Sequence, residues 1–589
     1  MNRKSAVASR WFTPLFAAAC LAATYAPAHA EGRPGPQRDL PPEPEQTNPN
    51  RAGGIERVEP PPSPARTDYE ADAVTDRWRI LDDLGEVDNP WYDPYNINTL
   101  KADRPVHDDW FFNAELRSNT VFEPRKFPVP VSPAAIEESG RDDLVGDGEQ
   151  SVFAQTVVAA FVYYKGDTIF RPPDYEYRLT LAKQYNRFRA QENRFLEVDP
   201  DGGQTRNDSH FAVQEAFFDK HLRDVSPRYD FDSVRIGIQP FNADFRGFLF
   251  QDDQFGVRLF GTRDNNIYQY NLAWFRRVEK DTNSGLNDVN AGLRKDDVFA
   301  ANLIWQDFPV LGFFTQFSLT HNRNREGNEE AHFNKNGFIE RPASVGLERP
   351  RNYDVTYFGL SGDGKIGRVN LTSSIYYAYG DQSRGTFLDE PVDIRALFGA
   401  AELSMDFDWT RVRLSGLYAS GDEDPFDDRS TGFDAIFENP IFAGADTNFW
   451  TRQNVPLIGG GRVALSSRDG ILNSLRSSKE EGQSNFDNPG TVLLGVGTDH
   501  DLTPRFRVST NLNRLWFDTT ETIEVARQQA DISRDIGWDA SIATIYRPFF
   551  TQNIVLRASA AKLLPGDGYK QLFGNESAYS VLFDLTFTY

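Results

Sequence analysis

From Trp110 to Tyr589 the chain alternates apolar and polar residues with a period of two, the spacing that sends successive side chains to opposite faces of an extended strand. In 110–122, Phe112, Ala114, Leu116, Thr120 and Phe122 share one face, and Asn113, Glu115, Arg117 and Asn119 the other. The division recurs where Tyr175, Tyr177, Leu179 and Leu181 oppose Arg178, Thr180 and Gln184, and where Val369, Leu371, Ile375, Tyr377 and Tyr379 oppose Asn370, Thr372 and Ser374. Counting such segments predicts about eighteen strands, an even number. They are placed at 110–122, 151–164, 175–198, 209–222, 231–240, 255–262, 267–278, 297–306, 313–322, 353–362, 367–380, 392–406, 410–420, 491–500, 505–517, 534–546, 553–563 and 577–589. The connections 307–312, 362–367, 407–409 and 501–504 are tight, whereas 123–150, 279–296, 323–352 and 421–490 are long. An all-β, antiparallel up-and-down transmembrane barrel predicts this asymmetry, with turns on the periplasmic side, loops outside, and both chain ends periplasmic. A soluble β-sandwich gives no reason for it.

The last predicted strand sharpens that expectation. Tyr579, Val581, Phe583, Leu585, Phe587 and Tyr589 alternate with a second set of residues and finish on an aromatic, a pattern that resembles the C-terminal signal read by the bacterial barrel-assembly machinery.

The first residues point to the same compartment. Arg3, Lys4 and Arg10 precede an apolar stretch from Trp11 to Ala23, and Ala28-His29-Ala30 has the form of a cleavage site, so residues 1–30 read as a secretory signal peptide. The single cysteine, Cys20, falls inside that segment in a poor context for lipidation, which leaves the mature chain without a thiol, a disulfide or a covalent haem site. Residues 31–109 are expected to form a periplasmic tail: proline-rich and extended or disordered at first, then one short amphipathic helix near 72–85 carrying Val74, Trp78, Leu81 and Leu84. That helix can plug the pore, meet a periplasmic partner, or pack on the barrel rim. The barrel itself occupies 110–589.

Composition narrows the alternatives. No stretch after the signal approaches the length of a helical span, and 46 Phe, 22 Tyr and 10 Trp suit a barrel whose outer wall and interfacial girdles consume aromatics. A net charge of −23 argues against a nucleic-acid partner. The expected surroundings are outer-membrane lipid and lipopolysaccharide of a Gram-negative cell, reached through the assembly machinery, with a periplasmic partner meeting residues 31–105.

The segment Gln214-Glu215-Ala216-Phe217-Phe218-Asp219, followed after a turn by Val234-Arg235-Ile236-Gly237-Ile238-Gln239-Pro240-Phe241, resembles a hairpin found in substrate-specific porins and alginate-export proteins. The resemblance covers about thirty residues. It implies a barrel of sixteen or eighteen strands and a role in transport.

If the apolar faces meet lipid, the opposite residues line the lumen, because an arginine on the lipid face costs about 2 to 4 kcal/mol at the membrane midplane. The rule turns Arg178, Arg235, Arg258, Arg411, Arg413, Arg507 and Arg557 inward, together with Glu215 and Asp219. Two readings follow. The arginines form a track that passes anions stepwise, or they pair with Glu115, Glu215, Asp219 and Glu402 and brace the wall.

Loop 421–490 opens with Asp422, Glu423, Asp424, Asp427 and Asp428 and can fold inward as a constriction or cap the outer mouth. Its acidic spacing does not fit a calcium loop, so a solvated charge run is expected, and Gly459-Gly460-Gly461 lacks the Lys-Ser/Thr of a phosphate loop. The histidines His210, His221, His321, His332 and His500 are isolated in sequence, and no hydrolase motif is present. No enzyme activity, cofactor or metal is therefore expected. The sequence supports an outer-membrane channel for small, including anionic, solutes. The alternative is an export conduit or structural sleeve serving a periplasmic partner, such as a polysaccharide-secretion component or a multihaem cytochrome.

Overall fold

The computed structural model describes residues 105–128, 147–166, 172–228, 230–453, 455–458, 470–549, 552–575 and 578–589, together with 84 and 100–102. The predicted signal peptide, nearly all of the predicted tail with its helix, and the triple glycine lie outside the described residues.

Eighteen long antiparallel strands form one sheet. They are β1 (Trp110–Lys126), β2 (Glu149–Lys165), β3 (Tyr175–Ala190), β4 (Thr205–Asp224), β5 (Phe231–Asn242), β6 (Gln251–Arg263), β7 (Tyr268–Val278), β8 (Leu293–Gln306) and β9 (Phe313–Arg325). The second half comprises β10 (Asn352–Ile366), β11 (Val369–Gln382), β12 (Val392–Phe407), β13 (Thr410–Ala419), β14 (Thr491–Thr503), β15 (Phe506–Trp516), β16 (Asp535–Tyr546), β17 (Ile554–Pro565) and β18 (Ala578–Thr588). Each strand pairs with its neighbours in sequence, and β18 returns to pair with β1 from Arg117↔Thr588 to Lys126↔Tyr579. The sheet is thereby closed and leaves no free edge.

The predicted alternation decides which face is which. Leu116, Phe122, Tyr177, Leu179, Ile375, Tyr377, Tyr379, Phe583 and Phe587 are all exposed on the outside, whereas Thr180, Gln184, Thr372 and Ser374 on intervening positions are buried inside. An exterior this rich in exposed Leu, Ile, Phe and Tyr needs an apolar surrounding, and with every strand hydrogen-bonded on both sides it meets the requirement for a lipid-facing wall. Aromatic rings gather at the end of the wall nearest the short turns. Trp110 stacks on Tyr163 with 4.6 Å between centroids, Trp305 stacks on Phe308 at 3.9 Å, and Phe407, Trp409 and Tyr546 are exposed at the same level.

The turns explain the register. β10 and β11 are joined by Gly367 and Arg368, with φ of +63° at the glycine, and β12 and β13 by Asp408 and Trp409, with φ of +52° at the aspartate. Residues that tolerate positive φ are what two-residue hairpins require. Connections on the opposite side are longer. They carry a small separate hairpin, His332–Phe333 with Ile339–Arg341, and three short helices, α1 (Trp450–Gln453), α2 (Glu521–Arg527) and α3 (Asp567–Phe573). The third strand ends at Ala190 rather than at the expected residue 198, because Phe195 and Leu196 turn away from the ladder into buried positions of the following loop.

Candidate functional site in the lumen

The lumen is partly filled by two of the long loops. The shorter, 243–250, bends inward after Asn242. Its Asp244 carboxylate accepts the backbone N–H groups of Arg246 and Gly247 at 2.8 and 2.6 Å and the Tyr376 hydroxyl at 2.8 Å, while Phe248, Leu249 and Phe250 are buried. A carboxylate gathering several backbone donors fixes the turn without help from water.

The longer loop, 420–490, folds inward rather than capping the mouth, which decides between the two expectations. Its segment 433–453 forms a strap inside the barrel. The strap joins the shorter loop where the Phe437 N–H donates to the Leu249 carbonyl at 3.1 Å and the Gln251 N–H to the Phe437 carbonyl at 3.0 Å. It then follows the inner wall of the half built from β10 to β18. The Ala443 N–H donates to Glu402 at 3.3 Å, Asn513 donates to the Ala443 carbonyl at 2.9 Å, and Arg557 pairs with Asp446 at 3.2 Å. Asp539 accepts the Phe449 and Trp450 N–H groups at 3.1 and 2.8 Å. The tip docks on β1, where Arg452 meets both oxygens of Glu123 at 2.6 and 3.0 Å and Gln453 adds a third contact at 2.6 Å. Phe433, Ile436, Phe442, Trp450, Leu475 and Phe486 pack the loop with little or no exposure. A buried charge cluster, Asp434 and Glu438 against Arg476 and Lys479, ties the strap to the returning half of its own loop.

In the acidic opening of this loop Glu423, Asp424, Asp427 and Asp428 are exposed, as a solvated run requires, and Asp422 alone departs from it. Asp422 is buried and accepts the Thr431 N–H at 3.1 Å and its hydroxyl at 3.2 Å. Burial, reinforced by nearby Asp487, pushes its carboxyl up to about 7. Asp424 and Asp427 cap turns through the N–H groups of Phe426 and Arg429.

Two cavities flank the strap. The larger, about 950 Å³, lies against the half built from β1 to β9. Amides dominate its lining, among them Asn119, Gln184, Gln214, Gln251, Gln269, Asn271, Asn302 and Gln316, and its charged lining residues are Asp244, Asp252, Asp253, Arg258, Lys280 and Glu480. The smaller, about 510 Å³, lies below strap residues 441–447 toward the short turns and contains Arg246, Lys365, Arg411, Arg413, Arg507 and Arg557 with Asp363, Glu402, Asp446 and Asp499.

The seven predicted arginines alternate with outward-facing neighbours, but Arg178 and Arg235 line neither cavity and the set does not form one track. Arg411, Arg413, Arg507 and Arg557 meet in the smaller cavity, each paired with an aspartate: Asp406 at 2.5 Å, Asp499 at 3.1 Å, Asp501 at 2.7 Å and Asp446 at 3.2 Å. On the other half, Arg178 lies 3.4 Å from Glu176 and 3.6 Å from Glu215, and Arg235 lies 2.8 Å from Asp219. Arg235 and Arg258 are interleaved with rings: Arg235 lies 4.2 Å from the Phe217 centroid, Arg258 4.7 Å from Phe260 and 5.7 Å from Phe241. Gly237, at φ +131°, sits opposite Phe217, where a Cβ would come within 2.7 Å of the Phe217 Cα. Arg258 differs from the other six. Its Nε donates to Asn271 at 2.7 Å, and among the described residues no carboxylate lies in ion-pair contact with it, although Asp219, held by Arg235, attracts it through space.

Glu402, expected as a brace for an arginine, pairs with Arg246 at 3.1 Å, whereas sequence reasoning missed the strap contacts Glu123, Arg452 and Asp539. Asp539 occupies an inward position of a predicted strand, whereas Glu123 falls just past the predicted end of the first strand, which continues to Lys126; the partners of both arrive from a loop without periodicity.

The closed eighteen-strand wall, its apolar exterior and its polar, loop-constricted interior define a transmembrane β-barrel. No protein-family model and no curated protein matches the sequence. Solved structures similar to the chain include Pseudomonas aeruginosa OccK5 (OpdH), at 10% identity and a TM-score of 0.40, with 81% of this chain and 97% of that chain covered. P. aeruginosa OpdK with vanillate aligns at 13% identity and a TM-score of 0.43, and a BenF-like porin from Pseudomonas fluorescens Pf-5 at 10% and 0.44, each covering 81% of this chain and 98% of its own.

Proposed function

We propose that the protein is a selective channel that passes small hydrophilic solutes, anions included, along the amide-lined cavity between the strap and the β1–β9 wall. One observation carries the reading: Arg258 lines that cavity with no carboxylate of the described residues in ion-pair contact, while the other six predicted arginines are each in such a pair. An anion in the cavity meets the Arg258 guanidinium beside a row of amides, while Asp244, Asp252, Asp253 and Glu480 in the same lining limit how tightly it is held, a combination that binds without trapping. The ion-paired cavity below the strap then serves as a vestibule whose charges are balanced locally. The packed strap occupies space that a protein enclosed in a sleeve would need, which favours the channel over the conduit reading.

Reversal potentials in planar bilayers under a salt gradient test this proposal. Wild-type protein is expected to conduct with a preference for chloride over potassium, and Arg258→Ala to lower that preference more than Arg411→Ala/Arg413→Ala does. Equal permeability ratios in wild type and Arg258→Ala would remove Arg258 from the selectivity mechanism; absence of conductance in the wild type would remove the channel reading itself.

A further inference from the structure

Three of the long loops converge above the larger cavity on a group of side chains that transport does not use. Glu279 stands just beyond the end of β7, His332 on the small hairpin of loop 326–351, and Glu481 on the returning half of the strap loop. One ligand atom from each falls within 4.8 Å of the others. Both glutamates are buried, and the imidazole Nε2 of His332 is shielded from solvent with no hydrogen-bond partner, its nearest carboxylate oxygen being on Glu481 at 3.9 Å. A shielded nitrogen facing two buried carboxylates without a hydrogen bond is costly unless something binds there.

We infer that Glu279, His332 and Glu481 form a binding site for a divalent transition-metal ion of the zinc type, which staples the strap loop to its two neighbours at the outer rim of the cavity. An imidazole with two carboxylates is a donor set for zinc rather than for calcium or magnesium, which take oxygen ligands. Ligand atoms about 2.1 Å from an ion stand roughly 3.4 Å apart in a tetrahedral site, so a modest inward movement completes the geometry. His332 is the ligand free to make that movement, because its side chain is one-third exposed while those of Glu279 and Glu481 are nearly covered. Both glutamates are already oriented. Arg341 places one Nη on each Glu279 oxygen at 3.0 and 2.8 Å, leaving each oxygen a further lone pair, and Thr282 donates to Glu481 at 3.0 Å. Thr282 and Glu480 line the cavity, so an ion here stiffens its rim.

Isothermal titration of the folded full chain in detergent with zinc chloride, repeated with magnesium chloride, tests the site. One saturable zinc per chain is expected, with no heat from magnesium. His332→Ala should weaken zinc binding by about tenfold or more, and Glu481→Gln should weaken it by a similar factor, with heat-modifiable gel mobility showing that both variants fold. Zinc added on the long-loop side of a bilayer should reduce current noise in the wild type and leave His332→Ala unchanged. Zinc binding that survives His332→Ala and Glu481→Gln intact, or a wild-type chain that binds no zinc at millimolar concentration, would overturn the assignment.

Discussion

The strap tip is held by two buried residues of β1, Glu123 and Arg125, and cutting its contact with Glu123 asks whether the strap governs conduction. Glu123 is fully buried on the inner face of β1 and receives Arg452 at 2.6 and 3.0 Å, Gln453 at 2.6 Å and the Ser580 hydroxyl, with Arg125 at 3.9 Å. Arg452→Ala removes the bidentate partner and leaves a poorly compensated charge in the wall, a loss of about 3 to 5 kcal/mol. The wall's own ladder is untouched, so the cost falls on seating of the strap. At 1.4 kcal/mol per decade it shifts the seated-to-released ratio by roughly two to three and a half orders of magnitude. Single-channel recording should show a low, quiet conductance in the wild type and frequent bursts to a larger level in Arg452→Ala. Replacing the whole buried triad with apolar residues, Glu123→Leu/Arg125→Met/Arg452→Met, leaves no orphaned charge and should return the recording toward the quiet level, because a buried charge cluster exchanged for packed hydrophobes is close to neutral. If Arg452→Ala in a fully folded barrel records the same conductance and noise as wild type, the strap is not the element that limits flow.

Further outcomes follow from the same geometry. Burial and Asp487 raise the Asp422 carboxyl to about 7, above its ordinary value near 4. The seated loop therefore binds a proton more readily than the released one, and seating weakens as pH rises from about 4 to about 7. Opening should be more frequent at pH 8 than at pH 5, and Asp422→Asn should flatten that dependence in bilayer recordings. Phe583 faces lipid opposite Phe122 on β1, so Phe583→Arg is expected to cost about 2 to 4 kcal/mol in denaturant unfolding from vesicles, whereas Ser580→Ala on the inner face should not produce a lipid-thickness dependence. Removing residues 31–105 is proposed to abolish recruitment of any periplasmic partner while leaving heat-modifiable gel mobility intact.

The wall was legible in the sequence because a strand facing lipid on one side and water on the other obeys a period of two at nearly every position. Most predicted strands match the observed ones within a few residues, and where they fall short the added residues are mostly polar, as in Gln251, Asp252, Asp253 and Gln254 or Arg294, Lys295 and Asp296, which extend the ladder above the hydrocarbon level. The inward direction of Arg178, Arg235, Arg258, Arg411, Arg413, Arg507 and Arg557 followed from the same rule. Their separation into two compartments did not, because it depends on a strap whose side chains bury on several sides at once. A segment such as Phe433 to Gln453 packs in all directions and carries neither the strand period nor the helix period. Its partners come from seven different strands. The same holds for Glu279, His332 and Glu481, isolated in sequence and adjacent only through three loops.

The seam between β1 and β18 sets an order on folding. Asn119 bonds Thr586 across it, 467 positions away, so the ribbon stays open along two edges until the final segment has arrived. Seventeen hairpin connections can zip locally, but the strap has no enclosed space to settle into before that last seam forms. Closure of the wall and filling of the lumen are thus bound into a single late event, and a chain arrested one strand short would present both a sticky margin and an unfilled interior.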